Sequence, residues 1–281
     1  MESLQGTRGV ITGGGDGIGR AIALHLARAG MHITIADIRA DAGEEAVGAI
    51  RAAGGNAHFH HCDVTLEDSV RELARDCFAA GDVDMIWANA GLGTAQGFTR
   101  GKAKNLNWMY AVNVHGVIHT LSAFLPTMLE QTGRRYVGIT ASVASLVPGN
   151  PANPAYGASK YATLGIAEGL RAELKDVENI SVTALCPGLV NTGIWNSARA
   201  RPDHFGGPRN LAPEAGAYWT KNGMPADVVG FHAVEALRAG RFYVVTPHNE
   251  EVLPVMEKHH QEIMDGVIPP ADWQSSLEET E

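Results

Sequence analysis

Short runs of β-branched and apolar residues alternate with longer stretches of helical composition from one end of this chain to the other. That alternation is the pattern of a parallel sheet covered by helices on both faces, because each strand buries both of its sides and each helix carries the chain back across the sheet. Seven runs are short enough for buried strands, at residues 9–12, 32–36, 57–62, 84–88, 136–140, 181–185 and 242–246. Helical stretches lie between and after them at 17–29, 41–53, 66–79, 105–131, 155–177, 226–239 and 254–264. The expected fold class is α/β, a doubly wound seven-stranded parallel sheet. A length of 281 residues could hold two domains, but the alternation runs unbroken and no repeat interrupts it, so 1–281 is read as a single domain.

One connection is abnormally long. Between Pro187 and about Pro225 the chain is rich in Gly, Pro, Asn and Arg, yet it carries Trp195, Phe205, Tyr218 and Trp219, which a solvated linker does not need. Residues 188–225 are expected to form a lid over a substrate site, or else a loop that packs its aromatics for its own stability. Residues 249–281 read as a C-terminal extension with an acidic end.

Composition narrows the function classes. With 45% apolar and 19% charged residues the chain can bury a sizeable core, which excludes a disordered segment or a small disulfide scaffold. The net charge is −9 and no long basic block occurs, so nucleic acid and anionic membrane are poor partners. Three cysteines, widely spaced and without a C-x-x-C, indicate neither a disulfide framework nor a thiolate zinc site. With no signal-like start and no 18-residue apolar run, the expected location is cytoplasmic.

The segment Thr12-Gly13-Gly14-Gly15-Asp16-Gly17-Ile18-Gly19 follows the first strand and opens the first helix. Glycines there let backbone N–H groups approach a pyrophosphate at the positive end of the helix, although glycine also serves tight turns that hold no ligand. Asp37 closes the second strand twenty positions after Gly17, where a carboxylate can accept both ribose hydroxyls of an adenosine and would repel a 2′-phosphate. Ile38 beside it is apolar and Asp16 is acidic, so NAD is favoured over NADP. Arg39 is the dissenting cation, and its expected place is the surface of the following helix. The candidate ligands at this end are Gly13, Gly15, Asp16, Gly17, Ile18, Gly19, Asp37 and Ile38. Asp63-Val64 and Asn89-Ala90-Gly91 end the third and fourth strands, where open α/β sheets place their ligands. They read as adenine-contacting and backbone-shaping residues, or simply as turns.

Tyr156-Gly157-Ala158-Ser159-Lys160 sets a phenol and an ammonium four residues apart, on one face of a helix. A phenol acting as a base near neutral pH needs its pKa lowered by roughly three units, about 4 kcal/mol. Lys160 and a positive nicotinamide ring could supply that. Alone, the pair is equally a lysine snorkelling over apolar surface.

Taken in order, the glycine turn Thr12-Gly13-x-x-x-Gly17-x-Gly19, Asn89-Ala90-Gly91, Asn113, Ser142, Tyr156-x-x-x-Lys160 and Pro187-Gly188-x-x-x-Thr192 resemble the short-chain dehydrogenase/reductase family, and the resemblance covers nearly the whole chain. The glycine spacing is similar to the compact branch; Asp16 stands where the longer, epimerase-type branch has glycine. The resemblance implies a Rossmann-type fold with Tyr156 as general acid/base, Lys160 as its pKa partner and ribose ligand, and Ser142 as the donor orienting the reacting oxygen. It implies that Asn113 holds a water behind Lys160, and that Pro187, Gly188, Val190 and Thr192 surround the nicotinamide. Ala88 departs from the family's usual second asparagine. The family also implies a homodimer or homotetramer through helices near 105–131 and 155–177, and the stripe Leu106, Met109, Tyr110, Val117, Leu121, Phe124 and Met128 is read as serving that contact.

The expected function is transfer of hydride between NAD and a secondary alcohol or ketone. Ser142, Tyr156, Trp195 and Phe205 are the candidate substrate residues, and the lid aromatics suggest a bulky apolar or aromatic substrate. Arg199, Arg201 and Arg209 leave room for an acidic group. The region 241–248 is similar to that of family members oxidising the Cα alcohol of lignin-derived aryl ethers. An NADP-dependent reductase of terpenoid, steroid or sugar-like ketones and a non-catalytic dinucleotide sensor are the alternatives. No metal is expected: His115 and His119 have the spacing of a zinc pair but no third ligand, strand alternation splits His58, His60 and His61, and His259 with His260 sits on a polar helix.

Overall fold

A computed structural model of the chain describes residues 3–93, 97–149, 153–246 and 252–267. The strands of the main sheet are β1 Arg8–Thr12, β2 His32–Asp37, β3 Asn56–His61, β4 Met85–Ala88, β5 Arg135–Thr140, β6 Ile180–Pro187 and, after a small parallel pair β7 Val190–Asn191 and β8 Met224–Pro225, β9 Tyr243–Thr246. They pair in the order β3-β2-β1-β4-β5-β6-β9, all parallel. This is the seven-stranded doubly wound sheet expected from the alternation, in one domain. The chain runs outward from β1 to β3, then returns to place β4 on the other side of β1, so the order reverses between β1 and β4. Open sheets of this kind bind their ligands at such a switch point, beyond the carboxyl ends of the strands.

Helices α1 Gly17–Arg28, α2 Ala40–Ala52 and α8 Ala226–Arg238 cover one face. Ile22 and Leu26 of α1, Val47 and Ile50 of α2, and Val229 and Leu237 of α8 pack there on Ile33, Ile35 and Trp87. Helices α3 Glu67–Ala79, α5 Gly116–Glu130 and α6 Pro154–Glu173 cover the other, with Val70, Leu73, Phe124, Met128, Leu164 and Ala167 buried against Val137 and Ile139. The apolar stripe expected to meet a partner subunit is therefore in large part a core face. Met109, Val117, Phe124 and Met128 are 3% exposed or less, and the apolar residues left outward on these helices are Ile118, Leu129 and Tyr161. Periodicity identifies an apolar face without saying what covers it.

The expected helix at 105–131 is broken into α4 Ala103–Tyr110, one π-helical turn at Ala111–His115, and α5. Asn113, wholly buried, lies in that turn. Single π-turns inside α-helices are frequent at functional sites. The region 188–225 is folded rather than slack: it contains β7, a 3-10 helix over Gly193–Ala200, two shorter 3-10 turns, α7 Ala217–Asn222 and β8. Of the C-terminal extension, α9 Val252–Asp265 is described, and His259 Nε2 lies 3.2 Å from Tyr161 Oη on α6. Residues 247–251 and 268–281 lie outside the described residues.

Candidate active site

A single cleft of about 580 Å³ at the carboxyl edge of the sheet is lined both by the glycine turn and by Ser142, Tyr156 and Lys160. Its floor needs glycine. Gly13 and Gly17 adopt φ of 62° and 54°, a left-handed region that penalises any side chain. A Cβ on Gly13 would stand 2.7 Å from Cα of Ala90, and one on Gly17 would stand 2.9 Å from Cγ2 of Thr192. Asp16 caps α1 by accepting from the Gly17 N–H at 2.7 Å, and its carbonyl accepts from the Arg20 N–H at 3.2 Å; Gly17 and Ile18 line the cleft at this helix N-terminus.

Asp37 sits at the end of β2. Its Oδ2 accepts from the Gly15 N–H at 3.0 Å and its Oδ1 from the Arg39 N–H at 2.9 Å. Burial raises its pKa above the ordinary carboxylate value, against the lowering effect of those two bonds. Ile38, Asp63, Val64, Ala90 and Gly91 line the same cleft. Asp63 spends Oδ1 on the Thr65 backbone and hydroxyl, at 2.9 and 2.7 Å. Asn89 is a stitch: its amide donates to the Thr12 and Gly13 carbonyls at 3.2 and 3.0 Å and accepts from Thr140 Oγ1 at 3.1 Å. It shapes the cleft by joining the ends of β1 and β5. Gly15 and Gly19 stand behind the surface, Gly15 against Asp37 and Gly19 against the Gly13 carbonyl.

Two arginines depart from expectation. Arg39 lines the cleft at the start of α2 instead of lying on the outer surface of that helix, and pairs with Asp41 at 3.1 Å and Asp16 at 3.7 Å. Arg199, read only as a lid cation, reaches across to Asp16 at 2.5 Å and also donates to the Gly193 carbonyl at 2.5 Å. The 3-10 segment Gly193–Ala200 is thus tied to the glycine turn. On the opposite wall, the Gly93 N–H donates to Ser197 Oγ at 3.3 Å.

The chemical groups converge from three elements. Ser142 follows β5, and its hydroxyl accepts from the Ala144 N–H at 3.2 Å while hydrogen-bonding to the phenol of Tyr156. Tyr156 and Lys160 share one face of α6, with Nζ 6.0 Å from the phenol ring centroid. Lys160 is 3% exposed and donates to the Thr140 carbonyl at 2.9 Å. Burial lowers its pKa to about 8 and raises that of Tyr156, with the Ser142 bond opposing the latter shift. Burial therefore works against a phenolate here, and nearby positive charge works for it.

The Asn113 side chain is fully engaged as a donor, to the Leu92 carbonyl and Ser159 Oγ, both at 3.0 Å, and accepts from the Leu92 N–H at 2.8 Å. A methyl built on Gly91 would lie 3.4 Å from Lys160 Nζ and 3.5 Å from Asn113 Oδ1, so both groups face one small space. Any water held there would be received by the remaining lone pair of Oδ1, since both amide hydrogens are used. Pro187, Gly188, Val190 and Thr192 line the cleft where β6 ends.

Trp195 and Trp219 line the cleft, but Phe205 does not: it packs behind, among Trp108, Met109 and Ala155. Tyr218 is 65% exposed and points away. Sequence reasoning missed Trp108 and Val112, which line the cleft from the turns preceding Asn113. Their i,i+4 spacing, with Val112 immediately before Asn113, is a signal that could have found them. His58 and His60 have partners of their own, Thr34 Oγ1 at 3.0 Å and Asp76 at 3.2 Å, and among the described residues no cluster of three potential ligands is placed to hold a metal.

Comparison with known proteins gives a consistent picture. The family profile described as short chain dehydrogenase matches residues 9–203. A 1-deoxy-11-beta-hydroxypentalenate dehydrogenase of Streptomyces exfoliatus is 32% identical over 246 residues, covering 86% of this chain and 83% of that one. A C alpha-dehydrogenase of Sphingobium sp. is 26% identical over 275 residues, covering 96% and 89%. Among solved structures, a short chain dehydrogenase/reductase from Burkholderia phymatum in complex with NAD superposes with a TM-score of 0.86 at 31% identity, covering 96% of this chain and 98% of that one.

Proposed function

Because this chain belongs to the short-chain dehydrogenase family, we propose that it is an NAD-dependent alcohol dehydrogenase that oxidises secondary alcohols to ketones and runs the reverse reduction with the same residues. The observation that carries this reading is the presence of Ser142, Tyr156 and Lys160 in one cleft with the glycine turn and Asp37. The residues fit a nicotinamide dinucleotide: positive-φ glycine backbone opens at a helix N-terminus, and a half-buried carboxylate stands at the end of β2. When bound, the oxidised dinucleotide supplies a hydride acceptor and a positive charge.

In this reading Asp37 accepts from the two ribose hydroxyls, and the glycine turn and α1 N-terminus hold the pyrophosphate. Thr192 donates to the carboxamide. Ser142 donates to the substrate oxygen and fixes it beside the phenol. Tyr156, held as the phenolate by the Lys160 ammonium, takes the hydroxyl proton at its Oη and becomes the neutral phenol. Asn113 keeps the π-turn docked on residue 92 and, through Oδ1, orders a water behind Lys160. Trp108, Trp195 and Trp219 wall the substrate end and favour a bulky apolar or aromatic alcohol. Similarity to a protein named C alpha-dehydrogenase supports the aryl-ether Cα alcohol as the substrate class to try first.

A homo-oligomer joined through the outward faces of α5 and α6 accords with the exposure of Ile118, Leu129 and Tyr161. A cytoplasmic place accords with three buried, unbridged cysteines. Among the described residues no helix is long and apolar enough to cross a membrane.

A panel of secondary aryl and alicyclic alcohols assayed with NAD and with NADP tests the reading. Appearance of reduced nicotinamide absorbance with NAD is the expected outcome. Tight dinucleotide binding without turnover on any alcohol or ketone of the panel would instead favour a nucleotide sensor.

A further inference from the structure

The segment that follows β7 crosses the cleft and is fastened on both sides of it. On one side Arg199 pairs with Asp16 of the glycine turn at 2.5 Å. On the other, Ser197 Oγ accepts from the Gly93 N–H at 3.3 Å, and Ile194 Cγ1 stands 3.5 Å from the position a Cβ on Gly93 would take. Asp16 follows β1 and Gly93 follows β4, the neighbouring strands between which the strand order reverses. The 3-10 segment Gly193–Ala200 therefore spans the switch point itself, and Gly193, Ile194, Ser197 and Arg199 line the cleft there.

The fastening on the nucleotide side is the more specific of the two. Asp16 divides its carboxylate, Oδ1 capping α1 and Oδ2 receiving Arg199. Arg199 Nη1 also donates to the carbonyls of Gly193 and Asn196, at 2.5 and 3.0 Å, so the guanidinium is held to its own segment and moves with it. The φ of Gly193 lies outside the left-handed region, so the backbone does not call for glycine. The ion pair does: a Cβ there would stand 2.7 Å from Asp16 Oδ2 and closer still to Arg199 Nη2. The pair stays partly open to water, with Arg199 22% and Asp16 48% exposed, which keeps it weak enough to part. Arg39, 3.7 Å from the same carboxylate, remains beside it when Arg199 leaves.

We propose that the Asp16–Arg199 pair is a latch that holds the Gly193–Ala200 segment across the bound dinucleotide, so that coenzyme leaves only while this pair is parted. This rests on the dinucleotide site of the dehydrogenase reading and assigns Asp16 and Arg199 as positioning residues that govern release of the coenzyme.

Stopped-flow dissociation of NADH from the full-length protein, chased with excess NAD, reads the release rate. Asp16→Asn keeps an N-cap acceptor for α1 and removes the charge. Loss of a carboxylate beside a pyrophosphate would by itself slow release, whereas loss of the latch speeds it, so the sign of the change discriminates. Release is expected to quicken by about two- to fivefold in Asp16→Asn, in Arg199→Met, and in Gly193→Ala, whose methyl pushes the guanidinium off the carboxylate with no change of charge. The double variant Asp16→Asn/Arg199→Met is expected to release coenzyme no faster than the faster single variant. Release slowed or unchanged in Asp16→Asn, or quickened in Arg199→Met alone, overturns the latch and leaves the dehydrogenase reading intact. Amide hydrogen exchange in the protein without coenzyme tells a failed latch from a misread coenzyme site. Residues 193–200 and the Gly93 amide are expected to exchange faster together in Arg199→Met and Gly193→Ala, and exchange unchanged in both variants overturns the latch.

Discussion

Tyr156→Phe is expected to lower kcat for alcohol oxidation by about 10²–10⁴-fold, the usual contribution of a positioned general base, while dinucleotide affinity changes by less than about tenfold. The substitution removes one oxygen from a ring that α6 continues to hold, and leaves the glycine turn and Asp37 untouched. Ser142 loses its bond to the phenol but keeps the one from the Ala144 N–H, so its hydroxyl stays anchored. Single-turnover kinetics with NAD in excess, together with a fluorescence titration of NADH, separate the two quantities. Unchanged kcat in the variant would remove Tyr156 from the chemistry. Loss of dinucleotide binding of the same size as the loss of rate would make its role structural.

The second large effect concerns coenzyme choice. Asp37→Ala is expected to shrink the preference for NAD over NADP in kcat/KM by about a hundredfold, the equivalent of ~3 kcal/mol of like-charge repulsion removed. Two features enlarge the effect. In the wild-type protein a 2′-phosphate would meet Asp37 and, close by, Asp16, whereas the variant removes the first of these. Arg39 lines the same cleft and is held by Asp41 and Asp16, so its guanidinium is near enough to be recruited once Asp37 is gone. The variant also loses the carboxylate that tethers the Gly15 and Arg39 N–H groups, so its KM for NAD rises as well. Steady-state kinetics with both coenzymes measure the ratio, and a ratio equal to that of the wild type would place the ribose elsewhere.

Most strands were legible because they are short runs of apolar and β-branched residues buried on both sides, whereas the edge strand β3 carries no β-branched residue and was legible only by its place in the alternation. Their ends fell within about two residues of those observed. The catalytic spacing was legible because an i,i+4 pair on a helix needs no tertiary information to be placed on one face. What stayed hidden depended on contacts between distant segments. The π-turn at Asn113 is fixed by bonds to Leu92 and Ser159, and nothing in the uniformly helical composition of 105–131 announces it. Arg39 was expected at the surface and Arg199 in the lid beside an acidic group, but both pair with Asp16 between them. Phe205 and Tyr218 were grouped with Trp195 by composition alone, but in an irregular segment composition carries no direction: one turned into the core and the other to solvent.

The pairing of phenol and ammonium is tested best by the pH dependence of the hydride step in wild type and in Lys160→Met, both saturated with NAD and a secondary alcohol. Oxidation needs a phenolate, so the rate rises with pH through the pKa of Tyr156. Burial drives that pKa upward and the Ser142 bond opposes it; on this account the Lys160 charge, 6.0 Å from the phenol ring centroid, opposes it further. The rising limb is expected near neutral pH in the wild type and displaced upward by one unit or more in Lys160→Met. A limb at the same pH in both proteins is incompatible with a lysine that tunes the phenol, and with the proton transfer assigned to this pair.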